Sequence, residues 1–499
     1  MEDPHHRAGL CSSLRVRRGT HSRLGFNHVD CLLQPSLRRA MRYTYQKEIP
    51  NVRPEDVFEW HERPGALERL TPPWGDVEVL SRSGGIRDGG TISLRVKRGP
   101  TSFRWDLIHR DYVHGRQFRD EQVSGPMKRW SHTHSFSPSE YGGTIAHDEI
   151  DMEPPLGFAG KALGPSFIRG ELDRLFAFRY RRLLNDLARH RTYADQKRLT
   201  VAITGASGLV GSSLRHFLTS GGHKVIPLVR EPTKVGEESI FWDPATGVID
   251  ERALQGVDAV VHLAGAPIAS GRWTEVRKRA IRHSRIRGTD LIARTLATME
   301  NGPRTLISSS AVGYYGNRGP EVLSEAALAG SGFLADVCRE WENATKPAEQ
   351  AGVRVVKLRT GIVLSPQGGA LGQMLLPFKM GAGGRLGSGA QYMSWIDLDD
   401  LTGLVYHALY DGSLVGAVNA TAPTPVPNAM FTSALGRALG RPTVVPLPSF
   451  AVKAVFGQLG KEALLWGQRA VPEKALSSGF QFFCERVEDS LRFQLGRVG

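Results

Sequence analysis

The sequence predicts an α/β fold with a doubly wound parallel sheet over residues 199–446, preceded by a separate α+β domain over residues 41–193. Three observations carry this. Val201–Gly211 reads as an apolar strand that breaks into Gly205, Gly208 and Gly211 just where a helix begins. Strand-like and helix-like stretches then alternate through Val353–Leu358. Ahead of them, short runs of alternating polarity follow one another and end in one long amphipathic helix.

The three glycines have the spacing G-x-x-G-x-x-G. Gly205 suits the tight turn, Gly208 lets the backbone approach a pyrophosphate, and Gly211 lets helix and strand pack closely. Ser207, Leu209 and Val210 stand among them at the helix start, whose free N–H groups suit phosphate oxygens. The second strand, Lys224–Val229, ends on Val229 and Arg230, where an NAD-preferring domain carries an acidic residue. A guanidinium there points to the 2′-phosphate of NADP(H). The third strand, Asp258–Leu263, runs into Leu263, Ala264 and Gly265, small enough to pass against adenosine and ribose. Trp273–Met299 carries a helix rich in arginine, most of it a solvated face.

The first domain opens on a strand at Tyr43–Ile49. Two short helices follow, the first with Pro54 and two acids in its opening turn. Strands are predicted at Val77–Ser81, Gly90–Lys97, Ser102–Arg110, Gln117–Val123, Trp130–Ser137 and Gly143–Glu149. In the closing helix Leu172, Leu175, Phe176, Leu183, Leu184 and Leu187 share a face. His132 and His134 alternate along one strand and so lie on one side of it. With no third ligand at credible spacing they read as surface or cavity-lining groups, and no metal site is expected. The polar stretch Thr192–Arg198 is the domain boundary.

The 499 residues suffice for more than one core. The formal charge of +14 is spread along the chain, with seven arginines in the first forty residues. That favours solubility or anionic small molecules over a nucleic-acid groove. Cys11, Cys31, Cys338 and Cys484 include no C-x-x-C pair, which fits a cytoplasmic protein without a disulfide framework. No apolar run approaches the roughly 20 residues that span a bilayer, so no membrane role is expected. Residues 1–40 are basic, acid-poor and without an apolar core, unlike a secretory signal. They read as a disordered extension, and an over-long start is the preferred explanation, because patterning begins at Met41.

The element order of residues 41–193 resembles the helix-grip fold of the polyketide-cyclase and lipid-transfer superfamily (SRPBCC, START-like), with Trp74 and Trp130-Ser131-His132 in support. That resemblance implies an apolar cavity between sheet and helix, suited to a hydrophobic ligand; otherwise Trp105, Trp130 and Phe136 simply fill the core. The second domain resembles an extended short-chain dehydrogenase/reductase of the epimerase-like family, with its NAD(P)-binding Rossmann sheet. The motifs are Gly205–Gly211, Val261–Gly265, Ser308–Gly316, Leu358–Leu364 and Ser394–Asp397. Gly369–Phe378 and the tail 447–497, a family-specific helical segment, match the C-terminal substrate lobe. This resemblance assigns NADP(H) to the glycine turn, Val229, Arg230, Leu263, Ala264, Gly265, Arg285 and Val363. It makes Ser310 a hydrogen-bond partner of substrate and Asp397 a structural residue.

Active members of the family carry Tyr-x-x-x-Lys, whose tyrosine exchanges a proton with substrate. Here Phe333 and Val337 occupy those places. Tyr314 and Tyr315 are the substitutes within reach, although Tyr315-Gly316 matches a structural turn. Two functions follow: an NADP(H)-dependent epimerase or reductase of a small carbonyl or sugar-like molecule, and a non-catalytic NADPH sensor. The loop Gly381–Gly389 reads as a lid or a plain connection, with Arg385 and Gln391 as candidate substrate contacts.

Overall fold

The computed structural model describes residues 41–154, 164–231 and 239–497. The basic extension of residues 1–40 lies outside them.

The first domain runs β1 (Met41–Pro50), α1 (Pro54–Glu62), α2 (Ala66–Leu70), β2 (Asp76–Ser83), β3 (Thr91–Arg98), β4 (Thr101–Val113), β5 (Gln117–Ser124), β6 (Arg129–Pro138), β7 (Gly143–Glu153) and α3 (Pro165–Thr192). Its antiparallel sheet has the order β1-β7-β6-β5-β4-β3-β2. Strand alternation is clear along β7, where every second residue is buried, so one face of the sheet is free to receive α3. Tyr45 stacks on Phe176 of that helix at 4.2 Å. Leu172, Phe176, Leu183 and Leu187 are buried along its inner stripe.

The second domain begins with β8 (Thr200–Thr204), α4 (Leu209–Ser220), β9 (Lys224–Val229), β10 (Ile240–Asp243), β11 (Val248–Ile249), β12 (Ala259–His262), α5 (Glu275–Thr298), β13 (Thr305–Ala311), β14 (Val322–Leu323) and α6 (Phe333–Asn343). It continues with α7 (Lys346–Gln350), β15 (Arg354–Thr360), β16 (Ile362–Leu364), α8 (Gly369–Lys379), β17 (Tyr392–Met393), β18 (Trp395–Asp397), α9 (Leu398–Tyr410) and β19 (Gly416–Ala420). The last elements are β20 (Val426–Pro427), α10 (Asn428–Leu439), α11 (Ser449–Phe456), β21 (Arg469–Ala470), α12 (Glu473–Ser477) and α13 (Val487–Gln494). The main sheet has the order β11-β10-β9-β8-β12-β13-β15-β19, with β9, β8, β12, β13, β15 and β19 in parallel. Val201, Ile203, Val261 and Ile307 pack with Leu214 of α4 and Leu404 of α9. Ala202, Val260 and Leu306 face Ile292 and Leu296 of α5 on the other side. Burial on both faces explains why these strands are continuously apolar rather than alternating.

The small lobe is set by Asp397. Its carboxylate caps α9 through Asp399 N and accepts from Ser490 Oγ at 2.5 Å and Gln494 Nε2 at 3.0 Å of α13. The seam between the domains is equally built in. Arg69 of α2 pairs with Asp186 of α3 at 2.6 Å and with Asp399 of α9 at 2.8 Å. Arg182 and Arg189 of α3 pair with Asp399 and Asp400. A Cβ on Gly65 would meet His216 O of α4 at 2.3 Å, so the domains touch backbone to backbone. Among the described residues no helix is long and apolar enough to cross a membrane.

Candidate functional site

The mouth of the parallel sheet lies where β8 gives way to α4. Gly205 has φ +68°, a conformation that suits glycine, and a Cβ there would meet Ala264 N at 3.1 Å. The turn therefore depends on glycine both for its own geometry and for the passage of the loop after β12. A Cβ on Gly211 would come within 2.2 Å of Gly205 O, which is the close helix-on-strand packing. Gly208 differs from both. It is exposed, caps α4 without a side chain, and its added Cβ would meet only Gly205 O, at 3.2 Å. Ser207 beside it is exposed too. The first turn of α4 has no acidic residue and no side-chain cap, so no carboxylate competes with an anion at its positive dipole end.

Thr204 ties the second wall to this turn. Its Oγ1 accepts from Leu263 N at 3.0 Å and Ala264 N at 3.2 Å, and lies 2.7 Å from His262 Nδ1. With two amide hydrogens on its oxygen, the threonine donates its own hydrogen to Nδ1, which fixes the imidazole as neutral. Burial holds His262 down to about 3, and the Arg285 charge acts in the same direction. Arg285 reaches over from α5: its Nη1 donates to Ala266 O at 3.0 Å, and its guanidinium carbon stands 3.5 Å from where Gly265 would carry a Cβ. The guanidinium also covers the ring of Trp341 at 5.0 Å. Val229 closes β9, and Arg230 projects into solvent at its end. On the far side Leu209 approaches the Cβ positions of Gly368 and Gly369 at 3.7–3.9 Å, and Val363 O lies 3.8 Å from that of Gly369. The glycine turn thus neighbours Leu263–Gly265, Arg285 packs against Gly265, and Leu209 and Val363 meet at Gly369, while Arg230 stands exposed at the end of β9. These residues fit a dinucleotide: the open, uncapped face at Gly208 is the space a pyrophosphate needs.

The substrate end is less permissive. Ser310, near the C-terminal end of β13, donates to Glu342 Oε1 at 2.7 Å. Arg359 holds the same carboxylate with two hydrogen bonds, at 2.8 and 2.9 Å, and its guanidinium carbon stands over the ring of Tyr314, 3.5 Å from its centre. Tyr315 joins this cluster through Arg359, but its hydroxyl is spent within the scaffold, which counts against the proton-transfer role expected of it. It is fully buried, its hydroxyl donates to Asn419 Oδ1 at 2.7 Å, and Arg359 Nη1 donates to it at 3.1 Å. Tyr314 is half-buried and remains beside the site. Phe333 packs edge-on against Trp273 at 5.0 Å and Val337 is buried, so apolar contacts replace the missing tyrosine and lysine. Gln391 is committed to Leu386 O and Leu464 O, and Gly384 passes against Val445 O too closely for a side chain. The loop after α8 is tethered to the segment at Leu447 and to Asn428, which favours the plain connection. Sequence reasoning passed over Glu342 and Arg359. Each reads as one more charged residue on a helix or strand; the register of β13 beside β15 pairs Ser310 with Arg359, and the packing of α6 brings Glu342 onto both.

The first domain holds a cavity of about 390 Å³ between the sheet and the α1–α2 segment. Leu67, Leu70, Ile92, Leu94 and Leu107 line part of it, whereas His61, His109, Asp120, His134 and Arg179 form a polar end. The cavity is therefore not purely apolar, as the resemblance implied. His132 and His134 are buried, which corrects the surface reading.

Fold and site together define a protein in which a helix-grip domain is locked onto a dinucleotide-type Rossmann domain with an epimerase-like lobe. Residues 201–419 match the NAD dependent epimerase/dehydratase family, 447–493 a domain of unknown function (DUF1731), and 50–179 the polyketide cyclase / dehydrase and lipid transport family. The epimerase family protein Mb2239 of Mycobacterium bovis is 48% identical over 299 residues, 60% of this chain and 98% of that protein. The crystal structure of the human epimerase family protein SDR39U1 with NADPH is 34% identical, with a TM-score of 0.54 over 59% of this chain and 98% of that one. A crystal structure described as the nucleoside-diphosphate sugar epimerase of Corynebacterium glutamicum is 34% identical and covers 91% of this chain and 90% of its own, with a TM-score of 0.75. The chain belongs to the NAD dependent epimerase/dehydratase family.

Proposed function

We propose that the second domain binds NADP(H) and acts as an epimerase or reductase on a small carbonyl or sugar-like molecule, in the cytoplasm. The observation that carries the cofactor reading is the open face at Gly208, beside an uncapped helix N-terminus. Arg230, exposed at the end of β9, supports the 2′-phosphate form, as does the relative solved with NADPH. The dinucleotide, when bound, supplies hydride transfer. The protein's own part is to hold phosphates on the α4 turn, pass adenosine along Leu263–Gly265, and orient substrate by Ser310. In this reading the first domain receives a ligand with an apolar body and delivers it or reports it.

A second reading is favoured by Phe333 and Val337, which leave no tyrosine–lysine pair. It makes the protein an NADPH sensor without turnover. Titration with NADPH and NADH, then a carbonyl-substrate screen followed by NADPH absorbance, separates the two. Turnover supports the enzyme; tight NADPH binding without turnover supports the sensor. Absence of binding by either nucleotide removes both. Arg230→Asp should move preference toward NADH, and an unchanged ratio would take Arg230 out of the site.

A further inference from the structure

β5 and β6 place Asp120 and His132 in register, with His134 two residues on, all on the inner face of the first sheet. One carboxylate oxygen of Asp148, on β7, lies 2.9 Å from His132 Nε2 and 2.7 Å from His134 Nδ1. Each imidazole is thus held through one nitrogen and turns the other toward Asp120. His134 Nε2 is 3.4 Å and His132 Nδ1 4.0 Å from Asp120 Oδ2. The three ligand atoms all lie within 4.8 Å of one another. Donors held at about 2.0–2.2 Å around one tetrahedral ion stand about 3.4 Å apart, so small side-chain shifts close the set.

The surroundings have the form of an outer shell. A carboxylate behind each imidazole is what fixes tautomer and ring orientation in metal sites, and Asp148 does this for both rings at once. Asp148 is itself held by Tyr180 Oη at 2.6 Å. His109 Nδ1 approaches Asp120 Oδ1 at 2.7 Å, but off the line of a hydrogen bond, so both atoms are buried without one. Asp120 and His134 also line the cavity of the first domain.

We propose that Asp120, His132 and His134 bind one divalent transition-metal cation of the zinc type, with an open coordination position facing that cavity. Asp120 and Asp148 together balance the charge of the ion while both imidazoles stay neutral. Arg179 lines the same cavity and its charge works against the ion.

The test uses the full chain, stripped with a chelator, then titrated with zinc against a chromogenic chelator and with cobalt(II) for its visible spectrum. One binding event should disappear in Asp120→Asn and in His134→Gln, and weaken by about 10- to 100-fold in Asp148→Asn. His147→Gln, next to Asp148 but on the opposite face of β7, should leave it intact. Binding elsewhere, including at the histidines of residues 1–40, persists in every variant. Should a variant not fold, X-ray absorption of the cobalt-loaded natural protein decides, with two imidazoles and a carboxylate expected. A titration unchanged by Asp120→Asn and His134→Gln, or cobalt without a pair of imidazoles, overturns the proposal.

Discussion

Arg69 Nη1 and Asp399 Oδ1, from different domains, lie 2.8 Å apart, and neither side chain is more than 3% exposed. The same aspartate also accepts from Arg182, so one carboxylate serves two buried guanidinium groups across the seam. Removing one partner of a buried pair leaves charge uncompensated. Asp399→Ala should cost about 3–5 kcal/mol and split calorimetric unfolding into separate domain transitions. A single transition at the original temperature would contradict a seam held by this cluster.

Gly211 and Gly208 should behave differently when given a methyl group. Gly211→Ala forces atoms to within 2.2 Å of Gly205 O, so stability and nucleotide affinity should fall together. Gly208→Ala meets only one oxygen at 3.2 Å and should cost little stability, yet it occupies the face open to phosphate. Calorimetric binding of NADPH beside thermal melts separates the two effects. Equal affinity in Gly208→Ala and the natural protein would place the pyrophosphate elsewhere.

Glu342 holds Ser310 and Arg359 at once, with side chains of Arg359 and Glu342 only 5% and 10% exposed. Glu342→Gln should destabilise by about 3 kcal/mol, by leaving the guanidinium without its carboxylate. Ser310→Ala, which removes one hydrogen bond, should cost about 1 kcal/mol. Denaturant unfolding ranks them. If both lose the same, the cluster is not ordered by the Arg359–Glu342 pair.

Acid should destabilise the fold between about pH 6.5 and 4. Burial holds His223 and His216 down to about 4, His262 to about 3, and His190 well below its ordinary value. Each takes up a proton on unfolding in that window, so the stability it contributes is lost as pH falls. Asp397 and Asp400 act oppositely: burial pushes them up to about 7 and 6, so their contribution is lost as pH rises through those values. The four histidines outnumber the two aspartates, and unfolding free energy at pH 4.5 should lie below that at pH 6.5. A flat or rising profile on acidification would show that the buried imidazoles are more accessible than the packing implies.

Periodicity placed the seven strands of the first domain and β8, β9, β12 and β15 of the second close to their observed bounds, because alternation, continuous apolar runs and glycine breaks are local properties of the chain; β10 and β19 of the main sheet carried no such signal. The turn at Gly205–Gly211 was legible for the same reason: its φ angle and the contact of Gly211 with Gly205 come from residues a few positions apart, whereas the approach of Ala264 to Gly205 is set by the sheet. Family resemblance, more than spacing, selected Arg285 and Val363, which lie far along the chain from that turn.

What the sequence determined alone was the class of fold, the glycine mouth and the loss of the tyrosine–lysine pair. What only tertiary structure decided was set by strand register and by docking. The seam formed by Arg69 and Asp399, the clamp of Glu342 by Arg359, and the convergence of Asp120 on His132 and His134 join residues with no common spacing. Their physical basis is shared burial: a charge removed from water must find its partner in space, and sequence distance places no constraint on which partner that is.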